Sequence, residues 1–265
     1  MTARRPLPQL MVAPNGARRK KSDHPELPMT IDEVVETAVA CVAAGADGLH
    51  LHVRDDDGNH SLDVGLYREA LAAVEQAVPG LFTQVTSEAA GRFDPEAQMH
   101  MIRALKPASV SLALSELRRA PTDDATARAF YAKAKDEGIG IHHIAYKPEE
   151  LSVLLDCIDA GMIPGRAHQL QLVLGSYAGT EPSKPSDLDA YQTQLEARKD
   201  DLSLDWMICA FGASETACLV ETARRGGKLR VGFENSLWNA DGSLARDNAE
   251  RVGEVRAALE ASGQA

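Results

Sequence analysis

The chain has 265 residues, a length at which α/β barrels of about 250 residues are common, and no composition break or long Gly, Ser or Pro linker divides it, so it reads as one domain over residues 1–265. A net charge of −11 argues against a nucleic-acid partner, and the one basic cluster, Arg18-Arg19-Lys20-Lys21, is too short to track a polyanion. Met1 to Gln9 lacks an apolar signal-peptide core and no apolar run reaches the ~18 residues of a membrane helix, so no membrane span is expected and the protein reads as soluble and cytoplasmic.

Leu10 to Ala13 is a short apolar run that stops at Pro14-Asn15-Gly16, the pattern of a strand and its loop. Thr30-Ile31-Asp32-Glu33 has the form of a capping box, and the apolar spacing of Val34, Val35, Ala38, Val39 and Val42 carries a helix to Gly45. Strand two runs from Asp47 to Val53. A helix from Asp63 to Ala77 leads to a third strand, Leu81 to Thr86, and Asp94-Pro95 opens a helix to Lys106. Strand four is Ser109 to Leu114, followed by a helix from Asp123 to Asp136, strand five from Gly140 to Tyr146 and a helix from Pro148 to Asp159. Strand six, His168 to Leu174, precedes a Gly- and Pro-containing loop through Ser186 and a helix from Asp187 to Lys199. Strand seven, Leu204 to Phe211, turns at Gly212-Ala213-Ser214 into a helix ending at Arg225; Lys228 to Glu234 is strand eight and Arg246 to Glu260 the last helix.

Eight βα units with near-continuous apolar strands predict a (β/α)8 TIM barrel of the α/β class, with a doubly wound open sheet as the second choice. A dinucleotide fold would want a Gly-rich turn after strand one, and there is none. In a barrel the working groups stand at the C-terminal strand ends, where this chain has Asn15, His50, His52, Glu88, Glu116, Tyr146 and Glu234. Cys41, Cys157, Cys209 and Cys218 have no CxxC spacing and fall in predicted helices or strands, as buried free thiols of a reducing compartment do.

Strand alternation puts His50, His52 and Arg54 on one face and Leu49, Leu51 and Val53 on the other. Two imidazoles two residues apart suit zinc or a neighbouring divalent ion, although a pair of hydrogen-bonded strand histidines has the same spacing. Closure of the barrel would place strand eight beside strand one, one strand from the histidines, which makes Glu234 the best third ligand; the alternative is a salt bridge from Glu234 to Arg230 or Arg54. Gly212 and Ser214 open a helix whose first amides could meet an anion, or form an ordinary turn. Glu88 suits a general acid or base or a solvated loop. His142 and His143 must point to opposite faces, so at most one enters the barrel, as a core residue or behind the site, and Arg54 and Asp55 are expected to pair locally.

Taken together, Ala13 to Ala17, His50 to Asp55 with Gly58, Cys209 to Gly212 and Arg230 to Asn235 resemble the β-keto acid cleavage enzyme family, from strand one to strand eight. The resemblance implies a zinc-containing TIM barrel, usually a homotetramer, that condenses a β-keto acid with acetyl-CoA and releases acetoacetate and a new CoA thioester. It assigns the metal to His50, His52 and Glu234. Arg230 and a carboxylate would assist enolate formation from acetyl-CoA, and Asn15, Thr86, Ser87, Ser111, Gly212 and Ser214 would contact substrate. Two positions depart from the family. Where members often have a catalytic aspartate this chain has Asn235, which leaves Glu88 as the carboxylate for that role, and the usual Ser/Thr-Thr-Gly-Gly after strand three is here Thr86-Ser87-Glu88-Ala89. An anionic or neutral keto acid is expected, since the first loop carries Arg18 where the founding enzyme has a glutamate for its amino substrate. Two other functions stay open: a zinc-dependent aldolase or hydrolase that uses no CoA, and a metal- and ligand-binding barrel without turnover.

Overall fold

The computed structural model describes residues 5–176 and 183–264. The loop expected before Ser186 therefore lies in part outside the described residues. The strands are β1 (Leu10–Val12), β2 (Gly48–Leu51), β3 (Val53–Arg54), β4 (His60–Ser61), β5 (Phe82–Thr86), β6 (Ser109–Ala113), β7 (Gly140–Ala145), β8 (Ala167–Leu174), β9 (Ser203–Ala210) and β10 (Lys228–Val231). The helices are α1 (Ile31–Ala43), α2 (Val64–Ala77), α3 (Pro95–Leu105), α4 (Leu114–Leu117), α5 (Asp124–Asp136), α6 (Pro148–Asp159), α7 (Leu188–Ala197), α8 (Glu215–Arg224) and α9 (Asn248–Ala261).

Eight parallel strands close in the order β1, β10, β9, β8, β7, β6, β5, β2, with helices outside: a (β/α)8 TIM barrel. Strand β1 is bonded to β2 on one side and β10 on the other, so the histidine strand and the last strand are one strand apart. Period-2 alternation does the sorting. Leu49, Leu51, Val85, Val110, Leu112, Leu170, Leu172 and Val231 belong to the main apolar core, while Met11, Phe82 and Met207 meet Leu7 in a separate apolar cluster. The helices begin where their caps dictate. Thr30 Oγ1 accepts from the Glu33 amide at 3.2 Å while Glu33 returns the bond to the Thr30 amide at 3.1 Å, and Asp63 and Asp94 cap α2 and α3.

Three local expectations are corrected. Strand two stops at Leu51 instead of Val53, because Val53 and Arg54 leave the barrel to pair antiparallel with Ser61 and His60 around the turn at Asp55-Asp56-Asp57-Gly58. Strand eight stops at Val231, where Gly232 adopts φ +136 and the chain turns, so Glu234 stands on a turn past the strand. The predicted local pair of Arg54 with Asp55 gives way to other partners: Arg54 donates to the carbonyls of Ala17 (3.0 Å), Gly58 (3.2 Å), Asn15 (3.3 Å), Arg19 (3.2 Å) and Gly16, and Asp55 faces Arg92 at 3.8 Å. The arginine thus fastens the loop after β1 to the rim. Cys41, Cys157, Cys209 and Cys218 are free and buried. Among the described residues no helix is long and apolar enough to cross a membrane.

Candidate metal centre and active site

At the C-terminal mouth of the barrel, His50 Nε2 and His52 Nε2 lie 3.1 Å apart, and Glu234 Oε2 lies 3.6 Å from the first and 3.4 Å from the second. Atoms that share one ion at about 2.0–2.2 Å are spaced in this way. All three residues are buried and together could hold a metal ion. Glu234 Oε2 has no hydrogen-bond partner although it is buried, while Oε1 accepts from Arg230 Nη2 at 3.0 Å. A buried carboxylate oxygen without a donor, facing two imidazole nitrogens, fits a cation better than an empty core. The expected alternative, a salt bridge from Glu234 to Arg230, is also present, and it uses the other oxygen.

The protonation states agree with ligation. Burial pushes the imidazoles down, His50 to about 3 and His52 to about 4, so both are neutral near pH 7. Burial alone would raise Glu234, but the Arg230 guanidinium, with His50 and His52, holds it well below the usual carboxylate range. Neutral imidazoles and an ionised carboxylate are the forms that bind a metal.

The turn that carries Glu234 is fixed through its backbone. The amide of Gly232 donates to Glu215 Oε1 at 3.3 Å, that of Phe233 to Asn248 Oδ1 at 2.8 Å, and that of Glu234 to the Ala13 carbonyl at 3.0 Å. A Cβ at position 232 would stand 2.5 Å from the Ala13 carbonyl oxygen, so the close approach requires glycine. Glu215 is itself held by Arg251 Nη2 at 2.8 Å, a pair with no exposed surface.

A cavity of about 30 Å³, room for roughly one water, opens on this cluster. Its polar lining is His50, Thr86, Glu88, Gln171, Arg230 and Glu234; its apolar and aromatic lining is Ile144, Tyr146, Val173 and Phe211. Glu88 is pushed up to about 7 by burial first and then by the charges of Glu234 and Glu116, against Arg18 and Arg230. Arg18 Nη2 lies 3.8 Å from Glu88 Oε1. The loop bearing Glu88 is anchored by Gln98, which donates to the Ser87 carbonyl and to Glu116 at 2.6 Å each.

The remaining sequence candidates divide. Thr86 reaches the cavity, and its Oγ1 accepts from Ser111 Oγ at 3.3 Å, so Ser111 stands directly behind it. Ser87 turns its hydroxyl to the Ser111 carbonyl at 2.8 Å and is fully buried. Asn15 donates to the Pro28 carbonyl at 2.9 Å, which leaves Oδ1 without a partner. Asn235 is buried with both polar side-chain atoms unpartnered. The Gly212 amide, expected to be free for an anion, donates to the Asn235 carbonyl at 3.3 Å, and the first residue of α8 after Ser214 is the buried acid Glu215. The Glu215 amide donates to the Gly212 carbonyl at 3.1 Å.

Sequence reasoning missed Gln84, Glu215, Asn248 and Arg251, which hold the ligands from behind. Gln84 had a signal, a polar residue between Phe82 and Thr86 on the inward face of its strand. The other three act from helices, where nothing in the local pattern points to the site. His142 does enter the barrel, against Gln84, while His143 packs against Tyr131 of α5 at 5.6 Å between ring centroids.

Fold and site define a (β/α)8 enzyme with a two-histidine, one-carboxylate cluster at its mouth, backed by a buried arginine. The beta-keto acid cleavage enzyme family profile matches residues 9–265. The chain is 28% identical to the 3-oxoadipate:acetyl-CoA acetyltransferase of Cupriavidus necator, covering 96% of this chain and 89% of that one. It is 26% identical to the 3-keto-5-aminohexanoate cleavage enzyme of Fusobacterium nucleatum, covering 91% and 86%. In three dimensions it resembles the apo structure of ObcA with a TM-score of 0.67 at 16% identity; the match covers 90% of this chain and 63% of that longer one, and supports the fold. The chain belongs to the β-keto acid cleavage enzyme family and is an enzyme.

Proposed function

We propose that this enzyme condenses a β-keto acid with acetyl-CoA and releases acetoacetate and a new acyl-CoA, with zinc held by His50, His52 and Glu234. The observation that carries the reading is the buried three-donor cluster with Arg230 bonded to Glu234 and a carboxylate, Glu88, lining the same cavity. The names of the relatives from Cupriavidus necator and Fusobacterium nucleatum support the substrate class and, in the first, acetyl-CoA. Zinc bound there would supply a Lewis acid for the β-keto oxygen. Another divalent ion would fit the same donors.

The chain's own groups do the rest. Acetoacetate joins the acetyl group of the thioester to the CH2-carboxylate part of the keto acid, so the proton must leave the keto acid's α-carbon, which corrects the expectation of enolate formation from acetyl-CoA. Glu88 is the carboxylate on the cavity wall placed to take that proton, because Asn235 has no site for it. Its raised pKa suits a base working near neutral pH. Arg230 fixes Glu234 through Oε1 and sets a positive charge beside the enolate. The new bond forms between the α-carbon and the acetyl carbonyl with loss of CoA thiolate; the thiolate then adds at the β-carbonyl, and the carbon-carbon bond breaks to release the acyl-CoA and the acetoacetate enolate, whose α-carbon takes the proton back from Glu88.

Metal analysis combined with an acetyl-CoA consumption assay over a panel of β-keto acids tests this. We expect one divalent ion per chain, acetoacetate only when acetyl-CoA is present, and loss of both metal and turnover in His50→Ala. Keto acid cleavage without acetyl-CoA would transfer the proposal to an aldolase or hydrolase, and an active, metal-free His50→Ala protein would refute the metal site.

A further inference from the structure

Behind the metal cluster the barrel interior holds a row of polar side chains that the chemistry above does not use. His50 Nδ1 lies 2.7 Å from Gln84 Oε1, and Gln84 Nε2 meets His142 Nδ1 on the far side. The three residues come from β2, β5 and β7 and are at most 1% exposed. No water can substitute easily for a lost partner in such a place, so the direction of each hydrogen bond matters.

A neutral imidazole has one ring proton. For His50 to present the Nε2 lone pair beside His52, its proton must sit on Nδ1 and be donated to the amide oxygen of Gln84. The amide NH2 then faces His142 Nδ1, which must accept and so carry its own proton on Nε2. Turning the Gln84 amide over would reverse the row. Its NH2 would donate to His50 Nδ1, force the His50 proton onto Nε2 and so into the metal position; His142 would then have to offer Nδ1–H to the amide oxygen. An amide cannot serve one histidine without dictating the tautomer of the other.

We propose that Gln84 and His142 are positioning residues that hold His50 in its metal-binding tautomer, Gln84 by accepting from Nδ1–H and His142 by fixing which end of the amide Gln84 turns toward His50. The inference rests on the metal reading above and adds to it a determinant two side chains away from the ion. An outer partner on a ligating imidazole commonly changes metal affinity by about 10–100-fold.

The test is metal affinity of the full-length protein, measured by competition with a chromogenic zinc chelator and needing no turnover. Gln84→Leu is expected to weaken binding by about 10–100-fold. His142→Phe should weaken it in the same direction and by less. The double variant should be no weaker than Gln84→Leu, because His142 acts only through the amide. His142→Asn, which offers an oxygen near the place of Nδ1, should recover most of the affinity. Long-range proton–nitrogen NMR of the zinc-loaded wild type should show His50 protonated at Nδ1 and His142 at Nε2, and this decides the matter even if Gln84→Leu does not fold.

Wild-type affinity in His142→Phe, multiplied losses in the double variant, or a His142 proton on Nδ1 in the zinc-loaded protein would each overturn the proposal. A variant that only melts earlier, with unchanged affinity, would show a structural role and overturn it too. Wild-type protein that binds no metal would sink the metal reading itself. A metal-binding wild type indifferent to Gln84 and His142 would sink this inference alone.

Discussion

The two faces of the barrel wall are equally buried and chemically opposite. Outward, Leu49, Leu51, Val85, Val110, Leu112, Leu170 and Leu172 pack against the helices; inward, His50, Gln84, Ser111, His142, Gln171 and Arg230 face one another, all at or below 4% exposure. Burial of the apolar face is favourable at about 25 cal/mol per Å². Burial of the polar face costs free energy wherever a group has no partner, and Glu234 Oε2, His52 Nδ1 and Gln171 Oε1 have none. The outer face therefore stabilises the barrel in which the inner face can hold groups ready for a ligand.

Substitutions on the two faces should separate function from stability. The largest effect is expected at Glu234→Gln, on the inner side. Metal binding and turnover should be lost, because an amide is a poor ligand, while the melting temperature of the metal-free protein changes less than in Glu234→Ala, since the amide oxygen can still accept from the buried Arg230. Equal loss of stability and activity would erase the distinction between the faces.

Next comes Glu88→Gln. If Glu88 is the base, turnover falls by about 10²–10⁴-fold. The pH profile sharpens the point. Burial holds the acid form up to about 7, and only the ionised form accepts a proton, so the wild-type rate should rise with pH through that region and level off above it. The glutamine variant should lose that limb; a retained limb would assign the base elsewhere.

On the outer face, Leu172→Ala should cost about 2–5 kcal/mol of stability by chemical denaturation, because Leu172 has no exposed surface. Metal affinity and KM should stay at wild-type values; a shifted KM would mean that outer packing sets the site geometry. The smallest effect belongs to the outer layer. Thr30→Ala removes the capping box of α1 and should cost about 1 kcal/mol, read as a lower midpoint with unchanged turnover.

Much of this was legible in the chain. The eight βα units and the His50-His52 pair follow from alternation and turn residues, which are short-range rules, and Glu234 as third donor follows from the closed barrel those units imply. Boundaries were less so. Period 2 runs through Val53 and Glu234 as if the strands continued, yet Gly232 and the pairing of Val53 with Ser61 end them sooner. The metal ligands converge all the same, because Glu234 is carried into place by a turn and not by strand alternation. Gln84 was missed although its inward polar position was readable, and His142 was noted as a residue that could enter the barrel, but the pairing of the two across 58 positions was not readable. Ser87 and the Gly212 amide looked available in sequence and are engaged by the Ser111 and Asn235 carbonyls.

By itself the sequence determined the class of fold, the two faces of each strand and the kinds of donor available at the mouth, because a residue's period and chemistry are local properties. Only the tertiary structure decided which donors share a centre, that Arg230 takes one oxygen of Glu234 and leaves the other bare, and that α8 and α9 hold the Glu234 turn through Glu215, Asn248 and Arg251. His50 and His52 lie far from Glu234 in the chain, as Glu215, Asn248 and Arg251 lie outside the turn they hold, and a buried polar group of this kind finds its partner only when the fold brings the two together.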